Sequence, residues 1–256
     1  MPPGYRLLLH LAVVTTLITP ACGDVTDPRA APYFANPDLR VLMDWVSFRL
    51  TFDGDSMTPE MAAGASAFTP MGTPQFTDGV VGRALVCAPG SGGAIYTPAS
   101  NATLATRGAV SLWVCPVDWT RDQGDNTVLV MTTNSSFYVQ RQGPLHNPDG
   151  SLVRAEGLQF LMLSELTGNN CLMLGTENWP AGTWRLIVAN WSWPVMQLSL
   201  DGGEFQSVTV KQSPTEAQFG GLIVGSGGGE KTLLDEVTFY RRPLSIEEVR
   251  RVWEAQ

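Results

Sequence analysis

The residues able to do chemistry are few. The chain has two histidines, His10 and His146. His10 lies in an apolar N-terminal run, so His146 alone is free for acid–base work, and a two-histidine metal site is excluded. Two carboxylates spaced two apart on a strand point the same way and suit acid and nucleophile roles. No glutamate here has an aspartate two residues later. In Asp235-Glu236 the neighbours face opposite sides of a strand. Asp235 alternates with Val237 and Phe239, which places its carboxylate on the buried side, where it needs a partner. That partner is a structural calcium ion, shared with Asp53 or Asp55 and backbone oxygens, or else loop N–H groups or an arginine. The same phase predicts that Asp235→Asn costs more stability than Glu236→Gln. Asp122, Asp125 and Asn126 form a second acidic stretch, whose plain reading is a solvated loop.

The aromatics divide by their surroundings. Trp113 and Trp184 stand among apolar strand residues and read as core, and Trp253 as the anchor of the last helix. Trp119, Trp179, Trp191 and Trp193 fall at strand ends or in loops, where a flat ring serves packing or stacks on a sugar. Trp191-Ser192-Trp193-Pro194 is the densest cluster. The candidate ligand-binding set is Tyr138, Arg141, His146, Trp179, Trp191 and Trp193. His146 sits in Pro144-Leu145-His146-Asn147-Pro148-Asp149-Gly150, a turn-rich loop.

The elements that position these residues are short strands. Candidates are 48–52, 84–87, 93–96, 109–115, 127–132, 136–141, 158–164, 171–175, 184–191, 195–200, 205–210, 221–225 and 232–240. Several alternate with period two, and Asp201-Gly202-Gly203 marks a tight hairpin. Many short strands at this spacing mean a sandwich or barrel. Residues 38–46 form a short helix before the first strand. Residues 245–254 form a better one: Ser245 and Glu248 make a capping box, Leu244 and Val249 a hydrophobic staple, and Ile246, Val249 and Trp253 one apolar face.

Composition agrees. Of 256 residues, 44% are hydrophobic and 16% charged, with 26 Gly and 18 Pro, enough apolar material for one full core rich in turns. The formal charge is −8 with only two lysines, Lys211 and Lys231, so no basic stripe for nucleic acid exists. Residues 1–21 read as an export signal, with Arg6 before an apolar run from Leu7 to Ile18 that is short for a membrane span. Thr19-Pro20-Ala21-Cys22 resembles a bacterial lipobox, in which Cys22 would be acylated after cleavage. Cleavage near Ala21 to give a soluble exported protein is the rival reading. Residues 22–47 then hold a proline-bearing tether and the short helix, and 48–256 the domain. Cys87, Cys115 and Cys171 each lie in an apolar run, as buried thiols or with one pair bridged. No C-x-x-C occurs.

The ending Leu234-Asp235-Glu236-Val237-Thr238-Phe239-Tyr240-Arg241-Arg242-Pro243-Leu244-Ser245 resembles the closing segment of laminin-G-like jelly rolls in the concanavalin A-like lectin/glucanase superfamily. Phe52-Asp53-Gly54, Gly79-Val80-Val81-Gly82-Arg83-Ala84-Leu85, Gly108-Ala109-Val110-Ser111-Leu112-Trp113-Val114, Trp184-Arg185-Leu186-Ile187-Val188 and Leu198-Ser199-Leu200-Asp201-Gly202 resemble further pieces in the family's order. The resemblance covers about 48–256. It implies an all-β, two-sheet antiparallel jelly-roll sandwich with a short C-terminal helix. Members bind glycans, bind proteins or cleave polysaccharides. The Glu-x-Asp-x-x-Glu strand of the laminarinase-type glycosidases is missing. A lyase of this fold would use a His and a Tyr, for which His146 and Tyr138 stand. The reading is therefore a lipid-anchored envelope module that binds a glycan or polysaccharide and is not an enzyme. The alternatives are an adhesion module for a cell-surface protein and a hydrolase or lyase with an unrecognised site.

Overall fold

The computed structural model describes residues 36–64, 66–119, 126–164, 168–176, 178–210, 215–225 and 229–255. The signal-like segment, Cys22, Asp122 and Asp125 lie outside them. Strands dominate, in two main antiparallel sheets. The first runs in the order β16 (Gln206–Thr209), β15 (Val195–Leu200), β14 (Arg185–Ser192), β7 (Arg107–Pro116), β18 (Thr232–Tyr240), β1 (Val46–Leu50), β2 (Met61–Ala62), with β5 (Arg83–Cys87) also on β18 and β4 (Phe76–Asp78) on β5. The second runs β13 (Gly168–Gly175), β12 (Gly157–Ser164), β9 (Phe137–Gln142), β8 (Thr127–Thr132), β17 (Leu222–Val224), β6 (Gly93–Tyr96), β3 (Phe68–Met71). A two-stranded ribbon, β10 (Leu145–His146) with β11 (Leu152–Arg154), leaves the second sheet between β9 and β12.

Alternation builds the core. Val110, Leu112 and Val114 of β7 meet Phe137 and Val139 of β9 and Leu158 and Phe160 of β12 between the sheets. The opposite face of the first sheet carries a second core: Leu39, Leu42, Trp113, Leu186, Val188, Tyr240, Val249 and Val252. Two helices cover it, α1 (Pro37–Met43) and α2 (Ile246–Glu254). The capping box on α2 forms as its spacing predicts, and Trp253 stacks on Trp113 at 5.2 Å. All three described cysteines are free thiols, Cys87 and Cys115 buried and Cys171 half-buried.

The predicted phase of Asp235 is overturned by a bulge. Asp235 lies opposite Trp113, but Thr238 lies opposite Ser111, so β18 carries one residue more than β7 between them. Glu236 takes a left-handed φ of 49° to absorb it. Val237 and Phe239 face the inter-sheet core, while Asp235 faces the helix-covered side with Trp113. Glu236 is buried too, at 3% exposure, and pairs with the fully buried Arg49 at 2.6 Å. Arg49 also pairs with Glu60.

The bulge ties two of the resemblance-bearing segments together. Asp235 Oδ2 accepts the N–H groups of Val80 and Val81 at 2.9 and 3.1 Å, and Oδ1 accepts that of Glu236 at 2.7 Å. Oδ2 occupies the space that a Cβ on Gly79 would need. Asp53 Oδ1 accepts the Arg83 N–H at 2.9 Å and fills the same space at Gly82. The two glycines therefore admit two carboxylates that hold the 79–83 turn onto the sheet. Burial and the neighbouring Glu236 push the Asp235 carboxyl up to about 9, against the pull of its three N–H donors. Of the two partners offered for Asp235, the structure shows the loop N–H groups and not a calcium set. Asp53 and Asp235 spend oxygens on backbone N–H groups, and Asp55 pairs with the Arg83 side chain. Among the described residues no three His, Cys, Asp or Glu side chains gather as a metal site.

Candidate functional site

With both helices on the first sheet, the outer face of the second sheet is the side left to the ribbon. Register defines its rows. Ile95, Ile223, Met131, Tyr138, Leu161 and Cys171 stand opposite one another across six strands. The adjoining row is Val128, Gln140, Gln159 and Met173. Beyond it come Gln142, Gly157 and Gly175, so two neighbouring strands present no side chain there. The Met173 terminal methyl swings over Gly157, into the space a Cβ would take.

The polar groups on this face are planar amides. Gln140 donates to Gln159 Oε1 at 2.9 Å, and Gln159 donates to Cys171 Sγ at 3.2 Å. Gln142 is 8% exposed, yet its Oε1 has no hydrogen-bond partner among the described residues. Tyr138 is half-buried beside them, and its pKa is raised by burial. The Arg154 charge opposes that rise, as it opposes the burial-driven rise at Cys171. An arrangement of amide donors and acceptors beside an aromatic ring suits hydroxyl-rich ligands.

The other predicted site residues scatter. His146 is exposed on the ribbon, opposite Leu152. Arg141 is 0% exposed, because it follows Phe137 and Val139 in the inward phase. It pairs with Glu156 at 3.0 Å and with Glu230, and lies 5.3 Å over the Trp119 ring. It is a strut and not a ligand contact. Trp179 stacks on Trp119 at 5.5 Å with Arg185 on it at 5.8 Å, so both rings serve the same end of the sandwich. Trp191 is 2% exposed, because it continues the inward phase of Ile187 and Ala189. Its indole N–H donates to Leu104 O at 2.9 Å and its ring meets Phe137 at 5.2 Å. The expectation that Trp191 offers a surface platform is therefore corrected. Trp193 stays 43% exposed at the lip of a shallow indentation lined by Met162, Val195, Met196 and Val210. Sequence reasoning missed Gln140, Gln142, Gln159 and Arg154. The period-two run Tyr138, Gln140, Gln142 was the available signal.

A sequence profile of the concanavalin A-like lectin/glucanases superfamily, of the laminin G type, matches residues 89–250. The chain belongs to this superfamily. No curated protein sequence matches it. Among solved structures, domain 4 of an extracellular arabinanase from Geobacillus stearothermophilus, solved in complex with arabinotriose, matches with a TM-score of 0.59 at 17% identity, over 83% of this chain and 98% of that one. The binding domain of Paraclostridial Mosquitocidal Protein 1 matches with a TM-score of 0.64 at 16% identity, over 83% of this chain and 52% of that one. The botulinum neurotoxin serotype D binding domain matches with a TM-score of 0.63 at 11% identity, over 84% and 53%. The chain thus spans about half the length of the toxin domains and nearly all of the arabinanase domain. At these identities the likeness is one of fold.

Proposed function

We propose that the chain is a non-enzymatic glycan-binding module, exported and held to a membrane by lipid on Cys22. One observation carries the binding reading: the outer face of the second sheet sets Tyr138 beside the Gln140–Gln159 amide pair. Sugar hydroxyls both donate and accept, so they can pair with the N–H and the C=O of a side-chain amide alike. The arabinotriose complex of a domain with the same fold, matched over its whole length, supports the same reading. The absence of a Glu-x-Asp strand pair argues against glycosidase work.

The test is a glycan array followed by calorimetry with wild type, Tyr138→Ala and Gln159→Ala. Binding that weakens at least tenfold in both variants, with unchanged melting temperatures, supports the site. Binding unaffected by either variant places the site elsewhere, and no binding to any glycan refutes the function. Export and acylation are tested separately, by palmitate labelling that Cys22→Ser abolishes. A protein-docking reading has one observation in its favour, the exposed Leu145, Leu152 and Val153 of the ribbon. Replacing all three with serine would leave glycan affinity unchanged on the primary reading.

A further inference from the structure

Among the described residues, the exposed large apolar side chains fall in three places: α1 with the turn after it, the ribbon, and Trp193. The first lies where the chain enters the domain. α1 spends Leu39 and Leu42 on the core outside the first sheet, where both are fully buried. Val41 in α1 and Trp45 just after it are left 54% and 42% exposed. A single exposed apolar residue needs no explanation, but Trp45 is held in its place. Its carbonyl accepts the Arg241 N–H at 2.8 Å, and the Arg242 guanidinium lies 4.8 Å over its ring. Arg242 is itself fixed by Glu248 through two N–H···O bonds of 2.7 and 2.6 Å. A locked cation therefore takes one face of the indole while the residue stays exposed to solvent.

Charge sets this side of the molecule apart. Residues 36–45 and 241–254, which hold α1, α2 and their flanks, carry five arginines and five acids, so the whole of the chain's charge of −8 lies elsewhere. An anionic headgroup surface repels a chain of that charge, and least of all on this side. Arg241, exposed and bonded through its backbone to Trp45, has a guanidinium that suits a headgroup phosphate. Fourteen residues separate Cys22 from Pro37, so a bilayer that holds a lipid on Cys22 meets this stretch at high effective concentration. We propose that Val41 and Trp45 are a lipid-contact patch, which rests on the phospholipid surface that anchors Cys22 and holds the domain in one orientation. The indole lies at headgroup level, where its apolar body and polar N–H are both satisfied. This rests on the lipid-anchoring part of the reading above, and not on the position of the glycan site.

The test places the lipidated protein in vesicles of phosphatidylcholine brominated on its acyl chains, and reads tryptophan emission in wild type, Trp45→Phe and Val41→Ser. Bromine should quench part of the wild-type emission, and that quenching should be lost in Trp45→Phe and weakened in Val41→Ser. The Trp45 signal, taken as wild type minus Trp45→Phe, should be open to aqueous iodide in protein released by cutting the tether and shielded from it in anchored protein. If Trp45→Phe fails to fold, Val41→Ser decides, since it leaves every indole in place. Absent quenching, or quenching that is unchanged in the variants, overturns the patch. A Trp45 signal already closed to iodide in released protein also overturns it, because the chain before α1 or a second copy then covers the indole. Palmitate labelling of Cys22 separates the two failures: labelled protein without quenching sinks this inference alone, whereas unlabelled Cys22 refutes the anchoring reading and this inference with it.

Discussion

Replacing Glu236 with glutamine should destabilise the domain more than replacing Asp235 with asparagine, the reverse of what strand alternation predicts. Glu236 faces Arg49, which is 0% exposed, and another of its partners, Glu60, is 36% exposed. Glutamine keeps an acceptor but removes the more deeply buried countercharge. Removing one partner of a buried pair costs about 3–5 kcal/mol. Asp235 differs because burial and Glu236 push its pKa to about 9, so near neutrality the carboxyl is mostly protonated and asparagine removes little charge. What asparagine does lose is one acceptor: its NH2 must face either the Val80/Val81 N–H pair or the Glu236 N–H. One stranded buried donor costs about 1–3 kcal/mol. At about 2–4 °C per kcal/mol for a domain of this size, thermal unfolding at pH 7 should show a drop of roughly 6–20 °C for Glu236→Gln and a smaller one, at most roughly 12 °C, for Asp235→Asn, whose contribution is already partly lost at that pH. A larger drop for Asp235→Asn would mean that Asp235 is ionised at neutral pH and that the bulge does not divide the roles as described.

Three further outcomes follow from the same geometry. Because the folded-state pKa of Asp235 lies above its unfolded value, its contribution is complete below about pH 4 and is lost as pH rises towards 9; the deficit of Asp235→Asn, measured by denaturant titration, should therefore shrink from pH 5 to pH 9, and a deficit that grows would refute the shift. Gly82→Ala places a side chain at φ 54° and into Asp53, so it should cost about 1–2 kcal/mol from the backbone alone and more from the displaced carboxylate; an alanine variant as stable as wild type would show that the 79–83 turn is not held from Asp53. Trp191→Ala should cost about 3–5 kcal/mol as a core truncation, while the exposed Trp193→Ala should change the melting temperature by a few degrees at most; equal effects would contradict their placement.

What was legible in the sequence follows from periodicity. Strands such as 93–96, 127–132, 195–200 and 232–240 have the bounds that alternation and turn residues give them. Ser245 and Glu248 announced α2 because a capping box is a local device. Non-local devices were illegible. The bulge at Glu236 goes with an ion pair to Arg49, far away in sequence, and no local signal marks it. Arg141 looks like a surface residue by type; only the inward phase of β9 together with Glu156 and Glu230 makes it a buried strut. The amide face was hidden for the opposite reason: glutamines on a strand read as ordinary solvent-facing positions until the sheet order brings Gln140 and Gln159 together.

The placement of the two faces bears on how an anchored module would present its site. The described chain begins beside α1, which packs on the outer face of the first sheet. The amide face is the outer face of the second sheet, on the far side of the sandwich. Residues 23–35 can span at most about 45 Å when extended, enough to clear a membrane surface but not to free the domain from it. A lipid on Cys22 would therefore draw the helix-covered side towards the membrane and turn Tyr138 and Gln159 outward. Protein anchored in neutral lipid vesicles should bind a soluble glycan with the affinity of protein released by cleavage of the tether, within about a factor of two. A loss of tenfold or more on anchoring, with the domain still folded, would place the binding site on the membrane-facing side and refute the assignment to the second sheet.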